Sequence, residues 1–548
     1  MKWTRIDGAK LAALLCWQLA CLPAAYADVQ SKGEAEEAGI DPSGAKIGRI
    51  RIHRENVFDT SLPEEDNWFY RLANRWHILT REEVIRRQLL FSSGDTWSAR
   101  LVEESERLLR RNDYLYDAQI EPVQIEDGVV DLRVTTKDLW SLTPGFSVSR
   151  SGGENRTRLS VSEQNLIGTG TRVKMSYTDD VDRESTSAEY FNNNFNGGWV
   201  SVLAHIADNS DGQTEHLRLL RPFYALDTRW SAGISWWHDD AEVDFYDLGN
   251  EVAEYREDQH VASVFAGWSD GLKNGRVVRW TAGLALDEHE FSETVSMELP
   301  QLFPENRRLI YPFVGVEYLQ DRYQTTSNRD QIDRTEDFYM GTRLGGRLGY
   351  ATDGLGSDRD ALVYNFSAST AFGSIDDKAL LLASSFNGRL EDGRVVNALW
   401  HVDARYYRQQ SRKRLFFMTL NSTYGWNLDL DNPVQLGGEN GLRGYPLRYQ
   451  VGRGSLLFRI EERYFTDWYP FRLVRVGGAI FADIGRVWGH NPVGGEPLGW
   501  LKDIGVGLRL GPTRASGNDV IHVDLAFPLD GDASIDDVQI LFESKRSF

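Results

Sequence analysis

Cysteine is almost missing from this chain: among 548 residues there are two, Cys16 and Cys21. Both fall in a stretch that reads as a removable leader. The remainder then has no disulfide, no thiol nucleophile and no Cys-ligated metal. Long apolar runs are also lacking. Beyond the leader no stretch reaches the roughly 18 apolar residues of a helical span, which excludes helical membrane crossing. There is no Gly-rich phosphate loop and no nucleophile elbow, and Ser and His show no triad-like spacing. The 10 His are scattered, with no pair at ligand spacing. His238-Asp239-Asp240 and Asp530-Gly531-Asp532 read as solvated loop charge rather than a calcium site. Positive charge is outnumbered, 61 Lys and Arg against 81 Asp and Glu, for a net charge of -20. That balance argues against a nucleic-acid partner. Neither a cofactor nor a metal is expected.

Aromatic residues are plentiful, with 17 Trp, 22 Tyr and 25 Phe. A large all-β core uses such residues, and so do the aromatic girdles of a membrane barrel. Residues 1–27 read as a secretory leader: Lys2, Arg5 and Lys10, an apolar stretch from Leu11 to Leu22, and a small-x-small site at Ala25-Tyr26-Ala27. Lipidation at Cys21 is disfavoured because Gln18 stands where an aliphatic is wanted. Residues 28–45 are acidic and polar, the composition of a flexible linker.

Residues 46–137 read as one α+β module. Ile50 and Ile52 alternate with charged residues in a first strand. Thr80-x-x-Glu83 is a capping-box signature opening a helix with Val84, Ile85 and Leu89. Ser98 is placed to cap a second helix carrying Leu101, Leu108 and Leu109. Two further strands meet at Asp127-Gly128, a tight-hairpin signal. The expected order is β-α-α-β-β.

From residue 138 to 548 the helical signal vanishes and strands alternate with turns. Ile504, Val506, Leu508 and Leu510 alternate with Asp503, Gly505, Gly507 and Arg509. Ile521, Val523, Leu525 and Phe527 alternate with Val520, His522, Asp524 and Ala526. Trp230, Ala232, Ile234 and Trp236 alternate with Arg229, Ser231, Gly233 and Ser235. Charge confined to one face suits a wet lumen inside a greasy wall, so an all-β transmembrane barrel is expected. The same parity on 472–484 puts Arg475, Phe481 and Asp483 in the lumen and Ile480 on the lipid face. On the neighbouring strand, Arg459, Glu461 and Arg463 share the lumen parity, whereas Glu462 has lipid-face parity.

Two segments give this pattern a family. One is Gly441-Leu442-Arg443-Gly444-Tyr445, in a long Gly-rich loop. The other is Phe481-Ala482-Asp483-Ile484-Gly485-Arg486-Val487-Trp488. Together with five expected strands after the loop, they resemble the BamA/TamA/FhaC superfamily of outer-membrane assembly and secretion proteins from about residue 46 to the last. The module resembles a POTRA domain, most closely in NRWHILTREEVIRRQLLFSSGDTW and VEESERLLRRNDYLYDAQI. The resemblance implies about 16 antiparallel strands, with 18 or 20 also open because the sequence offers extra candidates, including a hairpin near 184–206. It implies that the loop folds into the lumen and that Arg443 pairs with Asp483, with Gly444, Tyr445, Phe481, Gly485 and Glu461 around them. Asn165-Leu166-Ile167-Gly168-Thr169-Gly170 and the stretch 221–230 match family turns.

The resemblance further implies an outer-membrane location with the module in the periplasm. It implies unfolded polypeptide clients bound by strand addition at the module edge, for instance near Asp117. The clients would then be inserted at a seam between the strands near 142–150 and 538–548, or passed through the lumen. Phe542 and Phe548 end the chain on one face, resembling the signal read by the outer-membrane assembly machinery. Lipid is the other expected partner. No enzyme activity is expected. The alternative is a passive pore or surface antigen that kept the fold without client transport.

Overall fold

The computed structural model describes residues 42–294, 303–516, 520–532 and 535–545. The leader 1–27, most of the linker 28–45 and the terminal Phe548 lie outside the described residues.

Three strands and three helices form the N-terminal module: β1 (Lys46–Glu55), α1 (Trp68–Trp76), α2 (Glu82–Arg86), α3 (Ala99–Arg110), β2 (Leu115–Glu126) and β3 (Val129–Asp138). The sheet order is β1-β3-β2, with β1 parallel and β2 antiparallel to β3. Asp127 and Gly128 take positive φ, 48° and 74°, which matches a tight primed turn to the twist of the strands it joins. Ile85, Val102 and Leu109 from α2 and α3 bury against Leu115, Val130, Leu132 and Val134 of the sheet. Two expectations change here. Helix α1 is additional to the expected order. Thr80 does not cap α2, whose N-cap is Arg81 without a side-chain bond. Its hydroxyl instead donates to Asp138 Oδ2 (2.9 Å) at the end of β3. Ser98 does cap α3, accepting from the Leu101 N–H.

Twenty antiparallel strands then close into one barrel, from Leu142–Ser151 to Gln539–Lys545. The expected number of about 16 is therefore corrected to 20. Alternation fixes each strand locally, but nothing local says how many must close the sheet. The lower number came with the family resemblance, while the extra hairpin is present as Glu184–Phe195 and Val200–Asn209. Five strands follow the Arg443 loop. Both chain ends of the barrel lie at the module end.

Faces follow the parity of the strands. Ile480, Ile504, Val506 and Val264 are exposed on the outer wall, while Asp483, Asp503, Arg509 and Asp524 are buried inside. Val476 shares the outer parity yet is buried, because its N–H and C=O are tied into the rim turn at Thr466 and Trp468. Glu462 is held by Arg414 and Gln410 among exposed polar groups rather than in hydrocarbon. No helix among the described residues is long and apolar enough to cross a membrane. A closed sheet with an apolar outer band pairs the backbone of neighbouring strands within the wall, as a lipid environment demands.

A barrel of this strand number is too wide for wall side chains to fill. Two segments occupy it, one from each end. They are loop 427–453 from the end opposite the module, and segment 321–342 from the module end.

Candidate functional site

Loop 427–453 connects strand Arg414–Trp426 to strand Gly454–Phe465 and carries a short internal ladder, Val434–Leu436 with Gln450–Gly452. Its tip meets the wall closely. A Cβ on Gly444 would stand 2.7 Å from Asp503 Cβ, and one on Gly485 would stand 2.2 Å from Leu442 Cδ1. Only hydrogen fits at either place, so both glycines set the approach of loop to wall.

Arg443 is buried in this contact. Its Nε and Nη2 donate to the two oxygens of Asp483, each at 2.7 Å, and Nη1 donates to Glu461 Oε1 at 2.8 Å. The guanidinium lies 3.4 Å above the Phe481 ring. A planar fork on a carboxylate fixes orientation as well as position. The Gly444 N–H donates to Asp503 Oδ2 (3.0 Å), and the Tyr445 hydroxyl donates to the Lys502 carbonyl (2.7 Å). All seven residues of the expected lock therefore lie together. Asp503 and Asp524 join them unannounced: Asp524 sits 3.6 Å from Arg443 and is paired with Arg509.

Further holds on the loop were not legible in the sequence. Arg307 grips Asp431 with two bonds (3.0 and 2.7 Å), and Arg389 grips Asp429 (2.9 and 3.2 Å). On the returning limb Arg448 donates to Asp182 at 2.8 Å. Between loop and wall at this mouth lies a cavity of about 640 Å³, lined by both charge signs, including Arg156, Lys174, Arg183, Asp244 and Asp431.

The segment from the module end is a hairpin, Tyr323–Ser327 with Thr335–Tyr339. Its tip enters the lumen. Ile332 packs among Tyr407, Leu415 and Phe417. Arg329 donates to the Ile375 carbonyl (2.8 Å), and Tyr407 donates to Asp330 (3.0 Å). Arg463 joins hairpin to lock: its Nε donates to Glu461 Oε2 (2.9 Å) and its Nη1 to the Arg329 carbonyl (2.8 Å). The base of the hairpin is gripped by the module. Arg110 makes two bonds to Asp337 (2.8 and 2.7 Å), and Arg334 donates to the Leu115 carbonyl (2.8 Å). Thr335 donates to Asp117 at 3.2 Å. A continuous polar chain thus runs from module to hairpin to Arg463, Glu461 and Arg443.

The module also docks on the rim turns. The Leu226 N–H donates to Glu104 (2.8 Å), and Asn165 donates to Thr80 (2.8 Å), which is held by Asp138. Burial pushes the Asp138 carboxyl up to about 6 and pulls the neighbouring His77 down. Asp117 is a poor edge position. The Ile120 N–H already donates to Glu106 (2.6 Å), and the Ala118 carbonyl accepts from Arg110 (2.9 Å).

Cross-strand register also pairs two histidines that sequence spacing had kept apart. His238 stands opposite His260, their rings 4.3 Å apart, with Asp258 Oδ1 3.1 and 3.2 Å from their Nε2 atoms. Glu257, His289 and Asp431 gather in the lumen. Either trio has the donor set to accept a cation.

At the closure of the barrel, among the described residues, Phe542 of the last strand is in register with Arg150 of the first. Phe542 faces outward at this seam.

The geometry defines a membrane-spanning barrel whose lumen is closed by an inward loop and a module-bound hairpin. No protein-family model matches the chain, and no curated protein sequence matches it. Among solved structures, CdiB from Acinetobacter baumannii is 13% identical, with a TM-score of 0.44, covering 91% of this chain and 73% of that one. BamA from Haemophilus ducreyi lacking POTRA domains 1–3 is 12% identical, with a TM-score of 0.36, covering 90% and 84%. CdiB from Escherichia coli is 12% identical, with a TM-score of 0.36, covering 99% of both chains.

Proposed function

We propose that the protein handles unfolded polypeptide at the outer membrane, inserting it at the barrel seam or passing it through the lumen. The observation that carries this reading is the polar chain from module to lock. A barrel that only passed solutes would gain nothing from tying its plug to a soluble domain. In this reading the module acts as a periplasmic POTRA domain. An arriving segment adds a strand to its edge, beyond the self-capped stretch 118–120, at Glu121–Glu126. Extension of the added strand back to Ala118 displaces Arg110 from that carbonyl and so loosens its grip on Asp337. Release of the hairpin frees Arg463 and loosens Glu461, and with it Arg443. No covalent bond is made or broken, so the protein is not an enzyme. Its own insertion uses the assembly machinery, which reads the terminal strand with Phe542.

The test is site-specific photocrosslinking from Glu121 with an unfolded outer-membrane client, read beside single-channel conductance. The expected result is a client adduct at Glu121 and a rise in conductance on client addition. Absence of both would sink the reading. The charged basin at the mouth favours a second reading, a passive pore for small polar solutes. That reading expects large, steady, solute-selective currents that ignore client and ignore Arg443→Ala.

A further inference from the structure

Helix α1 is additional to the expected β-α-α-β-β order and carries a face that the body of the protein does not use. Its inner side is bolted to the barrel rim. Tyr70 stacks on Phe58 (centroids 4.1 Å apart), and its hydroxyl donates to the Phe471 carbonyl. Glu65, just ahead of the helix, binds Arg514 of another rim turn. The opposite side is bare. Trp68 is 70% exposed, Phe69 54% and Trp76 70%. At 100° per residue these three and Leu72 form one stripe, and Arg71 and Arg75 flank it.

The rim beneath α1 is equally exposed and equally aromatic. Trp468 is 64% and Phe471 81% exposed. Phe471 and Arg472 both hold positive φ, 53° and 54°. That backbone conformation is costly for bulky residues and here turns the Phe471 ring away from the protein. The turn joins two wall strands whose outer residues, Tyr464 and Ile480, belong to the apolar band. Apolar side chains are thus exposed on the wall strands, on the rim turn and on α1, which is tied to that turn through Tyr70 and Phe471.

We propose that α1 and the rim turn 466–473 form a membrane-interface site, in which Trp68, Phe69, Trp76, Trp468 and Phe471 enter the module-side leaflet. Indole and phenyl rings sit at the boundary between acyl chain and headgroup, while Arg75 reaches a lipid phosphate. Phospholipid is the occupant because the rim turn continues directly into wall strands whose outer residues form the apolar band. The site fixes the height and tilt of the module against the bilayer, on the rim near Trp140, where the first barrel strand begins.

Replacing the chain's two cysteines, Cys16 and Cys21, by Ser gives a clean reporter background. Bimane on Trp76→Cys is compared with Ile480→Cys in the wall band and Glu126→Cys at the far end of the module sheet. The full-length protein is reconstituted in phosphatidylethanolamine–phosphatidylglycerol vesicles carrying brominated acyl chains. Quenching at position 76 is expected within about twofold of that at 480, with none at 126. A Trp68→Ser, Phe69→Ser, Trp76→Ser variant should lower quenching of a bimane on Ile78→Cys. Iodide-accessible, bromine-insensitive label at 76 overturns the proposal. So does label shielded from iodide but insensitive to bromine, which marks a protein partner. If position 480 also escapes bromine, the spanning barrel itself is wrong, and the site falls with it.

Discussion

Arg443 shows what a single side chain does in a wide lumen. Its fork on Asp483, its third bond to Glu461 and its stacking on Phe481 leave no face to water. Truncating one member of such a buried pair costs about 3–5 kcal/mol, mostly because the surviving carboxylates lose their partner. Arg443→Ala should therefore lower the unfolding temperature and give noisier, larger currents. Arg443→Lys, which keeps charge but not the fork, should fall between. Thermal unfolding and planar-bilayer recording check both. Asp138 offers a titratable test outside the barrel. Its carboxyl is raised to about 6 by burial, so its contribution to the junction is fully present below the ordinary carboxylate range and is lost as pH rises through 6. Hydrogen-exchange protection of the Thr80 and Asn165 amides, taken relative to the base-catalysed rate of a free peptide at each pH, should be lower at pH 8 than at pH 5, and Asp138→Asn should flatten that difference.

Elements carry the next level. Hairpin 323–339 was invisible as a plug in the sequence, because Tyr323–Ser327 and Thr335–Tyr339 look like any short barrel strands. What makes them a plug is that strands Arg307–Gln320 and Arg343–Ala351 pair directly and leave the hairpin outside the wall. Replacing residues 324–338 by a short Gly-Ser turn should open the module end and raise conductance more than Arg443→Ala does. Single-channel recording measures the difference. Glu336 inside the hairpin accepts the N–H groups of Arg329 and Asp330 (2.9 Å each), and burial with Asp330 nearby raises it to about 7. Its sign matches that of Asp138: the tip tightens as pH falls from 7 and loosens above it. Open-channel probability should rise between pH 6 and pH 8 and lose that slope in Glu336→Gln. By contrast, the lock loop was legible, since Gly441 to Tyr445 and Phe481 to Trp488 name both partners. Its holds at Asp429, Asp431 and Arg448 were not, because their partners lie on strands far away in sequence.

For the molecule as a whole the seam is decisive. Phe542 of the last strand stands in register with Arg150 of the first, which closes the barrel. An Arg150→Cys, Phe542→Cys crosslink should leave the folded barrel intact on a gel. It should abolish client insertion if clients leave sideways, and spare transit if they pass through the lumen. The sequence by itself determined that this is a barrel and which face of each strand meets lipid. Alternation with a period of two is a local property, and a misplaced charge on Ile480 or Val506 would be expelled from hydrocarbon. The resemblance of two segments to a known superfamily pointed to Arg443 and Asp483 as a pair. Tertiary structure alone decided the closure at 20 strands, the second plug, the His238–His260 pair and the grip of the module on the hairpin. Each of these depends on which distant residues a closed sheet brings into register, and no window along the chain contains that information.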